Sequence, residues 1–259
     1  MKKVIEFQIC KPGELDLISP LQPSNHVPYQ DLILKPEYSG LKYTLPKGTS
    51  TFRILPPIGG GYWKANIDAY DHDHGRHADP SFADSAAISV FDIARNWLRR
   101  HQPDALYSKT TPEGHKLWTS KLFACWILID GPEPPELRLL IASAFAGGAR
   151  SVAPPGLGHQ IMHLVSQNKR MMEPDQGYQV KVTRSYSADS KFPKTELSLH
   201  HSMVPINDCI GELSPEDLNR LCPIRDTVRQ ISPADEWALL AKVIGDELAQ
   251  TIQAQAAEI

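Results

Sequence analysis

Stretches of alternating apolar and polar residues recur along this 259-residue chain, and proline or glycine cuts them short. In "STFRILPP" (Ser50–Pro57), Phe52 and Ile54 face one side and Thr51 and Arg53 the other, which is the two-residue period of a β-strand. Pro56 and Pro57 end that ladder, because proline has no N–H to donate. Past Gly59–Gly61, "YWKANIDAY" alternates again, with Tyr62, Lys64, Asn66, Asp68 and Tyr70 opposite Trp63, Ala65 and Ile67. "LKYTLPKG" (Leu41–Gly48) reads as a strand closed by a turn. "KLWTSKLFACWILIDG" and "ELRLLIASAFAG" are two more extended stretches, joined through Gly131, Pro132, Pro134 and Pro135. "GYQVKVTRSYS" and "TELSLHH" form a last pair. About seven short strands with irregular connectors predict a small barrel or sandwich, and the regular strand–helix alternation of a doubly wound fold is missing.

Helical spacing appears in four stretches. "DSAAISVFDIARNWLRRHQPD" predicts a helix opened near Asp84 or Ser85 and closed by Pro103, with Ile88, Phe91 and Leu98 on its apolar side. "GLGHQIMHLVSQNKR" predicts a shorter one with Ile161, Leu164 and Val165 inward. "ELSPEDLNRL" and "SPADEWALLAKVIGDELAQTIQAQA" both start with serine, proline and then acidic residues, a helix-opening pattern. The last carries Trp237, Leu240, Ala241, Ile244 and Leu248 as its stripe. The chain therefore divides into an N-terminal arm (1–40), a β domain (41–206) with a loop–helix insertion at about 71–118, and a mostly helical segment (207–259).

Four cysteines in no close pair point to a reducing compartment. No apolar run is long enough to span a membrane, and "MKKVIEF" lacks the order of a signal peptide, so a cytoplasmic location is expected. Residues 41–204 hold 19 Lys+Arg against 15 Asp+Glu, whereas residues 205–259 hold 4 against 10. A mildly basic body followed by an acidic segment fits a domain that meets a polyanion.

Signs of catalysis are few. Gly156 and Gly158 lack the third glycine of a dinucleotide fingerprint, and Gly59–Gly61 lack the Gly-Lys-Ser/Thr ending of a phosphate loop. No serine nucleophile elbow and no spaced carboxylate pair is present, so neither catalytic residues nor a cofactor are expected. His72, His74 and His77 among Asp71, Asp73 and Asp79 have ligand-like spacing, and a metal-dependent hydrolase built on them stays open as an alternative. His159 and His163, one helical turn apart, are read as a surface pair. A second alternative is a recruiting protein that works through its C-terminal helix.

Cations repeatedly accompany aromatic residues. Single-stranded nucleic acid is held by basic side chains on phosphates and flat rings under bases. Arg53 on its strand is one candidate contact; Tyr62, Lys64 and Tyr70 share a strand face. Tyr107, Lys109, Lys116, Trp118 and Lys121 cluster before the next strand. Lys181, Arg184, Tyr186 and Lys191 mark the last strand and its loop. Trp63 and Trp126 read as core.

In order and spacing, "YTLPKGTSTFRILPP", the polar insertion with its helix, "LFACWILI", "LRLLIASAF", "HQIMHLVSQ" and "DQGYQVKVTRS" resemble the phage single-stranded DNA-binding family typified by the helix-destabilising protein of T-even phages. The resemblance covers about residues 41–206. It implies an OB-fold, a Greek-key β-barrel, with a DNA cleft and no catalysis. It further implies coating of single-stranded DNA in replication, recombination and repair, in a phage-infected or mobile-element-carrying bacterial cell. Self-association on DNA and partner replication or recombination proteins, met through residues 207–259, are also implied. Three features depart from the family. Its best-known member holds zinc through one histidine and three cysteines in the insertion, where this chain has "SVFDIARNWL" and no cysteine. Only Lys2, Lys3 and Lys11 are basic in the first twenty residues. The C-terminal segment reads as helical rather than as a purely acidic tail.

Overall fold

A computed structural model describes residues 29–58, 62–107, 117–129, 134–146, 154–186 and 194–256. Among these residues nine strands form one mixed sheet: β1 (Gln30–Asp31), β2 (Lys42–Tyr43), β3 (Gly48–Ile54), β4 (Ala65–His72), β5 (Gly75–Ala78), β6 (Thr119–Ile129), β7 (Glu136–Ser143), β8 (Tyr178–Ser185) and β9 (Lys194–His201). Its centre is β6, whose Leu122–Leu128 are buried without interruption, as a strand covered on both faces requires. β7 runs antiparallel along β6 from Leu122 to Ile129. Two further strands divide the remaining pairing, with β4 on Thr119–Ala124 and β3 on Ile127–Ile129. β3 carries β8 and then β9, β4 carries β5 and then β1, and β7 carries β2. Among the described residues, only β1–β5 and β2–β7 are parallel.

The sheet is open, which corrects the closed barrel expected from the sequence. Because two strands share β6, the sheet branches there, and no ladder among the described residues joins its free edges. Side chains tie two of those edges instead. Asp31 of β1 accepts from Lys42 of β2, and from Arg76 of β5 at 2.7 Å. The chain is thus mainly β with inserted helices and a helical C-terminal part.

The helices are α1 (Pro36–Ser39), α2 (Val90–His101), α3 (Pro103–Tyr107), α4 (Leu157–Gln167), α5 (Ile206–Gly211), α6 (Pro215–Arg220), α7 (Ile224–Thr227), α8 (Pro233–Ile244) and α9 (Asp246–Ala256). α4 lies so close to the sheet that a β-carbon at Gly158 would sit 2.4 Å from that of Phe123. α2 starts later than its pattern suggests. Asp84 caps a local turn at Ala86, Ile88 is left 71% exposed, and the Ser89 hydroxyl accepts the Phe91 N–H to open the helix. Pro103 closes that helix and opens α3, at a first-turn position where a missing N–H costs nothing.

The last predicted helix is two, broken at Gly245, whose φ of 90° suits glycine. Its buried stripe is rotated from the predicted one. Glu236, Leu239, Leu240 and Val243 point inward, with Trp237, Ile244 and Leu248 at the margin. With Ala94, Phe91, Leu98, Leu106, Leu117 and Ile252 they form a second core over the outer face of β4. The part of the predicted arm that is described belongs to the body: Ile33 and Leu34 are buried, and Leu34 bridges Val228. Among the described residues no helix is long and apolar enough to cross a membrane.

The second core has a polar joint. The Glu236 carboxylate, 2% exposed, accepts the Ser89 hydroxyl and, at 3.0 Å, the Val90 N–H, so a residue of α8 satisfies the start of α2. His77 lies 3.6 Å from the same carboxylate, stacked on Tyr70. Glu236→Ala should cost about 3 kcal/mol or more in urea unfolding, because it strands buried donors, and Glu236→Gln should cost less. Deleting residues 233–259 should lower the melting temperature of the body and raise dye binding to exposed apolar surface. The four aliphatic side chains lost from the second core each contribute roughly 1.5–3 kcal/mol, against a total stability of about 5–15 kcal/mol.

Candidate nucleic-acid interface

The predicted contact residues separate into buried and exposed groups. Tyr70 is fully buried, which corrects its placement on an open face: its hydroxyl lies 2.8 Å from Asp92 and 3.0 Å from Asp79, and its ring packs on Phe91. Burial, then the neighbouring carboxylates, pushes its hydroxyl well above the ordinary tyrosine range, so it stays a neutral donor. Arg53 is 3% exposed and is likewise corrected from surface to interior. Its guanidinium donates to the Val204 carbonyl at 2.7 Å and the Ser202 hydroxyl at 2.9 Å, fastening the chain after β9 over β3. Both errors have one cause. Strand alternation identifies two faces, but it does not say that a later segment covers the second.

Two open clefts hold three of the remainder, Arg184 in one and Tyr62 and Lys64 in the other. The first, about 550 Å³, lies where β2, the end of β7, the start of α4 and the end of β8 meet. Tyr43 and Phe145 supply rings, and Lys42, Arg76 and Arg184 supply cations. Phe145 is 45% exposed although aromatic. Arg184 donates to the Leu45 carbonyl at 3.3 Å, and its guanidinium lies 5.3 Å from the ring centre of the exposed Tyr186. Among the described residues no carboxylate lines this cleft. Asp31 offsets one of the two charges of Lys42 and Arg76 from outside it, which leaves the cleft positive. Its own pKa reflects a contest: burial raises it, but the bonds from Arg76 and Lys42 prevail and hold it below the ordinary carboxylate value.

The second cleft, about 540 Å³, holds Tyr62 and Lys64 beside Trp63 and Phe82. Tyr62 is 86% exposed, while Trp63 meets Phe123 edge-on at 5.6 Å, half core and half wall. Lys64 reaches the Met162 sulfur of α4 at 3.0 Å.

Three further predicted residues lie elsewhere on the surface. The exposed Trp118 carries Arg95 over its ring at 4.7 Å. Lys121 pairs with Asp68 at 3.4 Å, and Lys181 sits mid-strand between Thr51 and Ser198. Tyr107 ends α3. Its side chain, with Lys109, Lys116 and Lys191, lies outside the described residues. Lys42, Tyr43, Arg76 and Phe145 were missed in the sequence. The usable signal was Phe145 itself, a lone aromatic between small residues just past a strand.

The histidine cluster does not assemble a metal site. His72 and His77 are buried against Phe91, and His74 sits in the β4–β5 turn. Among the described residues no three His, Cys, Asp or Glu side chains converge to hold an ion. Cys125 is fully buried, which raises its thiol well above the ordinary value and keeps it unreactive. No protein-family model matches this chain, and no curated protein matches it either.

The Asp31 bridge carries a pH signature. A carboxylate whose folded pKa is lowered contributes stability that is complete above its unfolded value and lost as pH falls through its folded one. The stability gap between wild type and Asp31→Asn, read by urea unfolding, should therefore hold steady near neutrality and shrink below about pH 4.

Proposed function

We propose that this chain binds single-stranded DNA without strong sequence preference, as a non-enzymatic coating protein of phage or mobile-element DNA replication, recombination and repair in the bacterial cytoplasm. The observation that carries the reading is the first cleft, where rings and unneutralised positive charge meet in the open. Tyr43 and Phe145 offer apolar faces to bases; Arg184, backed by Tyr186, offers a planar cation to phosphates. Stacking on rings tolerates any base, and charge meets only the backbone, so such a surface favours strands whose bases are unpaired. The branched sheet is read as an open variant of the OB-fold that the family resemblance implies, two of its edges joined through Asp31 rather than through a ladder.

Fluorescence-polarisation titration with labelled thirty-base poly-dT, its duplex and matching RNA tests the reading at low and high salt. The expected result is preference for the single strand, with the logarithm of the binding constant falling linearly with the logarithm of salt. Phe145→Ala should weaken binding by about 1–3 kcal/mol, roughly five- to 150-fold. Arg184→Ala should also flatten the salt slope by about 0.7, the value for one phosphate on a single strand. Equal affinity for duplex, or no binding at low salt, would refute the proposal.

A further inference from the structure

The second cleft is built from parts that the sequence assigns to three different segments. Tyr62, Trp63 and Lys64 precede β4, Phe82 ends a short 3₁₀ turn in the insertion, and Arg225 stands in α7 of the acidic C-terminal segment. Among the described residues three rings and two cations line it, and no carboxylate does. Arg225 is exposed and donates to the Ala83 carbonyl, which fixes the guanidinium but leaves its charge in place. Among the described residues neither Lys64 nor Arg225 is paired with a carboxylate, in a segment where acidic residues outnumber basic ones 10 to 4.

α4 relates the two clefts. Leu157 lines the first, and Met162, five residues on, touches Lys64 of the second. That is about 7.5 Å along the helix axis. Gly158 seats the same helix against Phe123, on which Trp63 also packs, so both clefts share one rigid support.

Resting on the single-stranded DNA reading, we infer that the second cleft takes a further nucleotide of the same strand, its base against Tyr62 and Phe82 and its phosphate between Lys64 and Arg225. The C-terminal segment, which its net charge marks as repelled by DNA, thereby supplies one of the contacts.

The test uses the full chain and compares wild type, Arg225→Ala and Lys242→Ala, the last removing one exposed charge from α8 of the same segment. Each is titrated with labelled poly-dT across a salt series, and with thymidine monophosphate as competitor. Arg225→Ala should flatten the salt slope by about 0.7 and weaken low-salt binding several-fold, with an unchanged melting temperature. Lys242→Ala should match wild type, and the monophosphate should compete only weakly. If Arg225→Ala and Lys242→Ala both match a wild type that binds poly-dT, the second cleft is no contact and the inference falls alone. Competition by the monophosphate as strong as by the oligomer would make the cleft a free-nucleotide site and overturn it too. If wild type fails to bind poly-dT, the underlying reading falls and takes this one with it.

Discussion

Everything in this fold depends on how β6 is shared. A strand buried from Leu122 to Leu128 must satisfy its backbone groups with other strands, since no water reaches them. β7 follows it almost throughout; β4 and β3 divide the rest between them. That division makes the sheet branch, and it leaves recesses where the branches part. The second cleft lies at the start of β4, close to where β4 gives way to β3 along β6. The first lies beyond the end of β7, where β2 and β8 come near. Both recesses therefore follow from backbone pairing, and the side chains on their walls tune surfaces that pairing has already shaped.

Local patterns were legible where local physics decides the outcome. Ser214 and Ser232 each cap a helix at the site their Ser-Pro-acidic pattern marks, through bonds to the Asp217 and Asp235 N–H groups. Ile161 and Val165 turn inward on α4 as their spacing requires. Trp126 is core. What could not be read was coverage. Tyr70 and Arg53 stand on faces that alternation marks as outward; Tyr70 is covered by Phe91 of α2, and Arg53 is held by groups about 150 positions away. The inward turn of Glu236 was equally hidden, because a carboxylate breaks an apolar stripe unless its partners are known, and here they lie in α2. Candidate contacts on free surface, such as Tyr62, Trp118 and Tyr186, stayed exposed because nothing arrives to cover them.

Charge follows the same division between local and distant causes. By composition the chain has an acidic end and a mildly basic middle, yet the acidic end folds back on the body. Its helices are held by apolar packing and by Glu236, so net charge does not decide where they go. Asp31 acts similarly at the first cleft. One carboxylate holds Lys42 and Arg76 close together despite their repulsion, while Arg184 beside them meets no carboxylate among the described residues.

The fastening of Arg53 bears on how such a chain comes to be folded. Its guanidinium is buried, and the groups it donates to lie 149 and 151 residues further along the chain. The bond between Ser89 and Glu236 spans another 147. During synthesis β3 emerges long before the segment that can accept from Arg53, so its packing over that residue must wait for nearly the whole chain. Contacts of such long sequence separation place folding toward the slow end for single domains. An incomplete chain would expose unpaired strand edges during that wait. Folding of the sheet is thus tied to the completion of translation, and truncated products should be poor imitations of the domain rather than smaller versions of it.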